Sequence, residues 1–574
     1  MKLTVRQGWM AALFPLASLV LLIFVLPLTV DNDLYFHLKS GELMVRWGHF
    51  LRTDIFTFTA RGMPEEMHSW LSQVFFFLVY HSFGTTGLRL LELATLGLAV
   101  SLVFRYVSKR TGEPLYAALV ASFALYFMKA AINLRPLFWG IGFLALIVLG
   151  CLSAETSLRP KKLIFILLLA ALWVNLHPSA LLLLPLSIVV LASNVVGIWE
   201  DGQAGQAVPF WRSLRLPAIL MPLLLLPVLC LNPSGVRLFA MARKIQATSQ
   251  FVQTNEWRPI SLVWALGHFR SWAVLRGAID FESITVLAGL VGLFAYLALV
   301  RNKRASERVF LAGLSALFFL LPLSARRHIP YVFLGFALLA PEWWEIARRF
   351  GIERPKRHWA TQGALILAMG LLLTRGSLYE TTVSLVSIEK AADLLSDAGV
   401  RGNIFNDPDW GHYLTYRLYP NCLISFDMRA SVNAKAFHLL MNQVTAPGGF
   451  KPERLVEAYP QTDIIFTRDG ARFEEVFDPS KWVLVFENDT SMVALRRNPR
   501  NRENLRKVAA YYAAQGVPFD RIRGYNSFRV HLERPDWFWR HQEIGVPGKW
   551  PTPRLESQFR SILTSYLDRR EIPI

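Results

Sequence analysis

Residues 9–37 read WMAALFPLASLVLLIFVLPLTV followed by DNDLYFH. The first part is an unbroken apolar run of the length that crosses about 30 Å of hydrocarbon, and Lys2 and Arg6 precede it. It outlasts a signal-peptide core, and no small-x-small cleavage site follows at Pro27 to Asp31. The run therefore reads as an uncleaved first span with a cytoplasmic N-terminus. Two carboxylates, Asp31 and Asp33, stand directly at its exit.

Working outward, further apolar runs lie near residues 85–106, 115–130, 137–154, 163–176, 180–199, 217–231, 283–300, 309–323, 330–347 and 359–374. With the first run they predict an α-helical polytopic membrane protein of about eleven transmembrane helices. The shorter run Trp70 to Phe83 suits a helix lying in the outer interface. Alternation from an inside N-terminus places the loops with Lys109-Arg110, Arg159 to Lys162, Arg212 to Arg215, Arg301 to Arg308 and Arg348 to Arg357 in the cytoplasm, as the positive-inside rule requires.

Composition agrees with this reading. The 574 residues are 53% hydrophobic and 18% charged, which excludes a disordered or fibrous chain. The net charge of +19 (61 minus 42) is scattered over loops without stacking aromatics, which excludes a nucleic-acid partner and leaves membrane lipids. The three cysteines, Cys151, Cys230 and Cys422, form neither a metal motif nor a disulfide framework.

An odd number of spans puts everything after Thr374 outside the cytoplasmic membrane. The chain then divides into a membrane domain over 1–375 with a long first outer loop 31–69, an extracytoplasmic α/β domain over 376–500, and a helical or irregular extension over 501–574. In the α/β domain, short β-rich runs such as Asn403 to Asp407, Asp463 to Thr467 and Trp482 to Phe486 alternate with helical ones. Its segment Asn406-Asp407-Pro408-Asp409-Trp410-Gly411-His412 gathers acceptors, an aromatic and a His; the set Asp407, Asp409, Trp410 and His412 suits a sugar or cation, and equally an ordinary turn.

Chemistry is concentrated at Asp31 to His37. Carboxylates at a membrane helix end cost desolvation that packing does not recover, so they point to function. Three roles fit: a helix N-cap, a divalent-cation site (Mg or Mn) with Asp33 and His37 as ligands, or a general base facing an acceptor hydroxyl. Polar residues at other outer span ends (Arg135-Pro136, His177-Pro178, Arg326-Arg327-His328) are candidate substrate-binding residues, together with Tyr35, Glu66 and His68 of the loop itself.

The stretch Asp31 to Tyr35, then Gly41-Glu42-Leu43-Met44, Trp47-Gly48, His68 to Leu71 and Phe83 to Arg89, resembles the first outer loop of GT-C membrane glycosyltransferases, in the branch of protein O-mannosyltransferases and lipid A aminoarabinose transferases. That branch carries Asp-Glu-x-x-Tyr after the first span; Asp31 and Tyr35 match it, and Asn32 stands where the Glu would be. Arg135-Pro136, Asn175-Leu176-His177, Leu231-Asn232-Pro233 and Gly402 to Asp407 also resemble a group of bacterial polytopic membrane proteins.

The resemblance implies a transferase of the inner membrane that moves a sugar from a polyprenyl-phosphate-linked donor to a glycan, lipid or protein acceptor on the outer face. Asp31, Asp33 and His37 would be the catalytic set, and Arg135, Arg326, Arg327 and His328 would bind the leaving phosphate. A transporter or lipid flippase, and a non-catalytic component of glycan assembly, are the alternatives.

Overall fold

The computed structural model describes residues 15–16, 19–20, 32–65, 67–128, 131–152, 158–204, 216–241, 259–260, 281–301, 303–350, 388–429, 456–468 and 477–543. The expected spans near 9–30 (beyond those four residues) and 359–374 lie outside them, as do Asp31, Glu66 and the end of the chain from 544. The molecule forms two compact units: Met1–Thr53 with Pro64–Val383, and Asp54–Met63 with Ser384–Ile574.

The first unit is helical. Its described helices are α1 (Asp33–Trp47), α2 (Trp70–Thr111), α3 (Pro114–Met128), α4 (Leu137–Ala145), α5 (Pro160–Leu176), α6 (Leu183–Gln203), α7 (Leu216–Leu229), α8 (Phe281–Leu299), α9 (Ala305–Leu320) and α10 (Val332–Arg349). A π-helical turn extends α4 to Leu152, and 3₁₀ turns at Pro178–Leu182 and Arg326–Tyr331 lead into α6 and α10. Three helical stretches are long and apolar enough to cross a membrane: Trp70–Thr111, Pro178–Gln203 and Ala305–Leu323. Shorter apolar helices cover Pro114–Met128, Leu137–Leu152, Leu216–Leu229 and Ser283–Leu299.

Large apolar side chains stay exposed on these helices, among them Leu168, Leu223 and Phe294. In water such a surface would be a liability, whereas hydrocarbon solvates it. The interior is filled by Trp173, Tyr296, Phe318, Phe319 and Phe333. Helix α2 packs on α1, α3 and α4, while α10 packs on α2, α3, α8 and α9.

Helix α2 carries a break at Gly84, whose φ of 60° and ψ of −158° no side chain adopts cheaply. The break falls between the stretch Trp70 to Phe83 and the apolar stretch that continues to Thr111, so the element kinks at this glycine.

The second unit is an α/β fold. Strands β1 (Gly402–Asn406), β2 (Cys422–Ile424), β3 (Ile464–Arg468), β4 (Trp482–Glu487) and β5 (Ser491–Arg496) form one sheet in the order β2-β1-β3-β5-β4. β1 runs parallel to β2 and β3, whereas β5 is antiparallel to β3 and β4. Helices α11 (Glu389–Asp397), α12 (Gly411–Leu418), α13 (Asn501–Ala514), α14 (Ser527–Glu533) and α15 (Pro535–Arg540) complete it. Asn501 and Tyr512 of α13 donate to backbone carbonyls of Asp463, Arg496 and Val485, so α13 belongs to this core.

Residues Asp54–Met63 also belong to the second unit. Ile424 donates to the Phe56 carbonyl at 3.1 Å and Phe58 donates to the Ile424 carbonyl at 2.9 Å, which adds a short parallel ribbon at the β2 edge. Covering an edge strand in this way satisfies backbone groups that would otherwise recruit another chain.

Candidate functional site

Helix α1 begins at Asp33, with Asn32 at the cap position and no side-chain cap bond. The Asp33 carboxylate lies in the first turn, where the helix dipole favours negative charge, and pairs with the Arg135 guanidinium at 3.2 Å. His37, one turn on, is buried edge-on to the Phe76 ring with its Nδ1 3.5 Å from Gln73 Nε2.

Arg135 is aimed by an unusual turn. Leu134 has a φ of 58°, a left-handed conformation that a bulky side chain rarely takes. Its N–H donates to Glu92 Oε1 at 3.1 Å, and Glu92 accepts from Arg89 at 2.9 Å on the other oxygen. Both charged side chains are buried within α2.

His177 caps the 3₁₀ turn Pro178–Leu182. It lies in the electrostatic field of Arg327, His68, His37 and Arg135. Its Nδ1 is 2.7 Å from Ser179 Oγ and accepts from the Ser179 N–H at 3.1 Å. Gly140 of α4 permits the close approach here: a Cβ at that position would stand 2.5 Å from Ser179 Oγ and 2.7 Å from the Tyr331 hydroxyl oxygen.

Two asparagines hold the turn that presents His177. Asn175 Nδ2 donates to the Leu231 carbonyl at 2.8 Å, and Asn232 Nδ2 donates to the Val174 carbonyl at 2.9 Å. Asn175 Oδ1 accepts from Trp70 Nε1 at 2.7 Å, which ties the start of α2 to the same turn. The Asn-Leu-His and Leu-Asn-Pro motifs are thus one reciprocal brace.

The fold therefore brings Asp33, His37, His68, Arg135, His177 and Arg327 into one region of the first unit. Tyr35 lies half-buried on α1, and Arg326 on the same 3₁₀ turn as Arg327. His328 serves that turn itself: its Nδ1 is 3.1 Å from Ser324 Oγ and 3.2 Å from the Leu321 carbonyl. Asp31 and Glu66 lie outside the described residues. Glu92, Ser179 and Tyr331 escaped the sequence reading; the one available signal was the i, i+3 pair Arg89 and Glu92 inside an apolar run.

Asp33 is engaged by Arg135 and His37 packs against Phe76, and among the described residues no three His, Cys, Asp or Glu side chains gather as a metal site.

The tail residues belong to the second unit. Asp407 Oδ1 accepts from the Asp409 N–H at 3.1 Å and caps a 3₁₀ turn. Trp410 is buried edge-on against Phe466, and His412 is buried with its Nε2 3.7 Å from Asp427.

No protein-family model matches the chain, and no curated protein sequence matches it. Solved structures do. The apo oligosaccharyltransferase of Archaeoglobus fulgidus superposes with a TM-score of 0.51 at 11% identity, over 81% of this chain and 70% of that one. Its complex with Zn and sulfate gives 0.50 at 12% identity, over 80% and 68%. The mycobacterial arabinofuranosyltransferase AftD gives 0.45 at 15% identity, over 87% of this chain and 40% of that one. At these identities the likeness to the archaeal oligosaccharyltransferase is one of fold alone.

Proposed function

We propose that the protein transfers a sugar from a polyprenyl-phosphate-linked donor to an acceptor on the outer face of the cytoplasmic membrane. The observation that carries this reading is the Asp33–Arg135 pair set in one region with Arg327, His37, His68 and His177. A site facing outward has no nucleotide sugars at hand, so an activated donor must arrive on a lipid, and its leaving group is a phosphate. Arg135 and Arg327 bring the forked donors that suit phosphate, at a depth where a low dielectric strengthens charge-assisted bonds. The archaeal fold likeness supports the same reaction class.

In the proposed step the acceptor hydroxyl gives its proton to the Asp33 carboxylate, with Asp31 as the adjacent candidate base, and its oxygen attacks the anomeric carbon. The bond from that carbon to the donor phosphate oxygen breaks, and the electron pair leaves on the phosphate. Arg135 then stands between base and leaving group, where one preorganised donor is worth about 100-fold or more in rate.

Mass spectrometry of lipid-linked sugars and surface glycans tests the reading in wild-type, deletion and Asp33→Asn strains. The expected result is an accumulated donor and a missing glycan or glycolipid in both altered strains. A deletion strain with unchanged glycans overturns the transferase reading. A deletion phenotype that Asp33→Asn does not share removes Asp33 from the reaction.

A further inference from the structure

Glu92 is a fully buried carboxylate in the longest described helix, an expensive feature in an element that crosses a membrane. Its partner Arg89, one turn earlier, is buried as well. A buried ion pair is weak evidence of stabilisation, because apolar residues of similar size usually do as well or better. The pair does something that apolar residues would not: the second Glu92 oxygen leaves α2 and takes the N–H of Leu134, the residue with positive φ. Arg135 follows immediately, with its own N–H bonded to Asn133 Oδ1 at 3.3 Å and its guanidinium on Asp33. Three links thus run in series, from Arg89 through Glu92 to the Leu134 backbone, and from there to the Arg135 side chain.

A left-handed Leu persists only where its surroundings over-determine it. Without the Glu92 acceptor, the Leu134 N–H would be buried without its carboxylate partner and the turn would relax toward ordinary φ, carrying Arg135 away from Asp33. We infer that Glu92 is a positioning residue for anion binding: it fixes the strained turn that aims Arg135. This rests on the proposal that Arg135 binds the phosphate of a lipid-linked donor.

The test is binding of undecaprenyl phosphate to the full-length protein in detergent, read by native mass spectrometry. Glu92→Gln keeps the reach to Leu134 and loses the charge, whereas Glu92→Asp keeps the charge and shortens the reach by one methylene. A positioning role predicts that Glu92→Gln stays within about threefold of wild type, while Glu92→Asp weakens binding about tenfold, approaching Arg135→Ala. Adding Leu134→Gly, which makes the positive φ easy, is expected to restore part of the Glu92→Asp loss.

The opposite order, with Glu92→Asp tight and Glu92→Gln weak, overturns the inference in favour of a purely electrostatic role. Weak binding by Arg135→Ala with both Glu92 variants unchanged overturns it while the phosphate-site reading stands. Binding that Arg135→Ala leaves unchanged overturns that reading and the inference with it.

Discussion

Arg429 donates to Asp54 at 2.8 Å across 375 positions of sequence. The same guanidinium grips both oxygens of Asp427 at 2.7–2.9 Å, and the Phe56 ring lies 5.6 Å from its carbon. Asp54 also accepts from the N–H groups of Phe56 and Thr57 and from the Thr57 hydroxyl, so this carboxylate organises the ribbon that covers the β2 edge.

Arg429→Ala is expected to destabilise the second unit by roughly 3–5 kcal/mol, because Asp54 and Asp427 are both buried and would lose their shared counter-charge. Asp54→Asn keeps the shape and costs less, about 1–3 kcal/mol. Thermal unfolding of the full chain in detergent, with limited proteolysis at residues 54–63, checks both. An Arg429→Ala protein as stable as wild type, with that segment still protected, would show that the clasp is not needed.

Acid and base should act on the second unit through different groups. Burial alone would raise Asp427, but Arg429 and His412 outweigh it and hold its carboxyl well below the usual 3.8. The stability it contributes is therefore complete above about pH 3.8 and is lost as pH falls below that. Burial pushes Glu543 up from 4.5 to about 7, so the folded state holds this proton more tightly than the unfolded chain. Its contribution is fullest below pH 4.5 and declines as pH rises to about 7. A melting-temperature profile from pH 3 to 8 should show both limbs, and Glu543→Gln should flatten the upper one alone.

Gly140→Ala should disturb the site without unfolding the bundle, since its Cβ meets the Ser179 and Tyr331 hydroxyls rather than backbone. The expected result is normal membrane expression with undecaprenyl phosphate binding weakened about tenfold, as a displaced Ser179 releases His177. Gly202→Ala is the control: nothing stands within 4 Å of that Cβ, and alanine is the better helix former. Equal binding by the two variants would remove Gly140 from the site.

Asp33 and Arg135 should be energetically coupled. Asp33→Asn and Arg135→Gln are each expected to lower transfer about 100-fold, and the double variant to fall well short of their product, because each single change already breaks the pair. A lipid-linked sugar assay in membranes measures it. Losses that multiply would mean the two residues act independently.

The apolar runs, the acidic stretch Asp31 to Asp33, the basic segments between the runs and the alternation of strands and helices after Ser384 are local patterns, and hydropathy and charge display them directly. Asp33, His37, His68, Arg135, His177 and Arg327 were visible for the same reason: an ionisable group at a membrane helix end is out of place unless something uses it. In the tail loop, acceptors, an aromatic and a His in seven residues look alike whether they face a ligand or pack a turn, and only the structure shows that Trp410 and His412 are buried.

Sequence by itself determined which segments prefer hydrocarbon and which carry charge, since transfer free energy belongs to each residue and its near neighbours. Only the tertiary structure decided the pairings: Asp33 with Arg135, Glu92 with the Leu134 backbone, Asn175 with the Leu231 backbone, Asn232 with the Val174 backbone, and Asp54 with Arg429. Each joins side chains or backbone from separate elements. A hydrogen bond or ion pair depends on distances of a few ångströms in space, and no local periodicity encodes which distant residues the packing of helices and strands will bring that close.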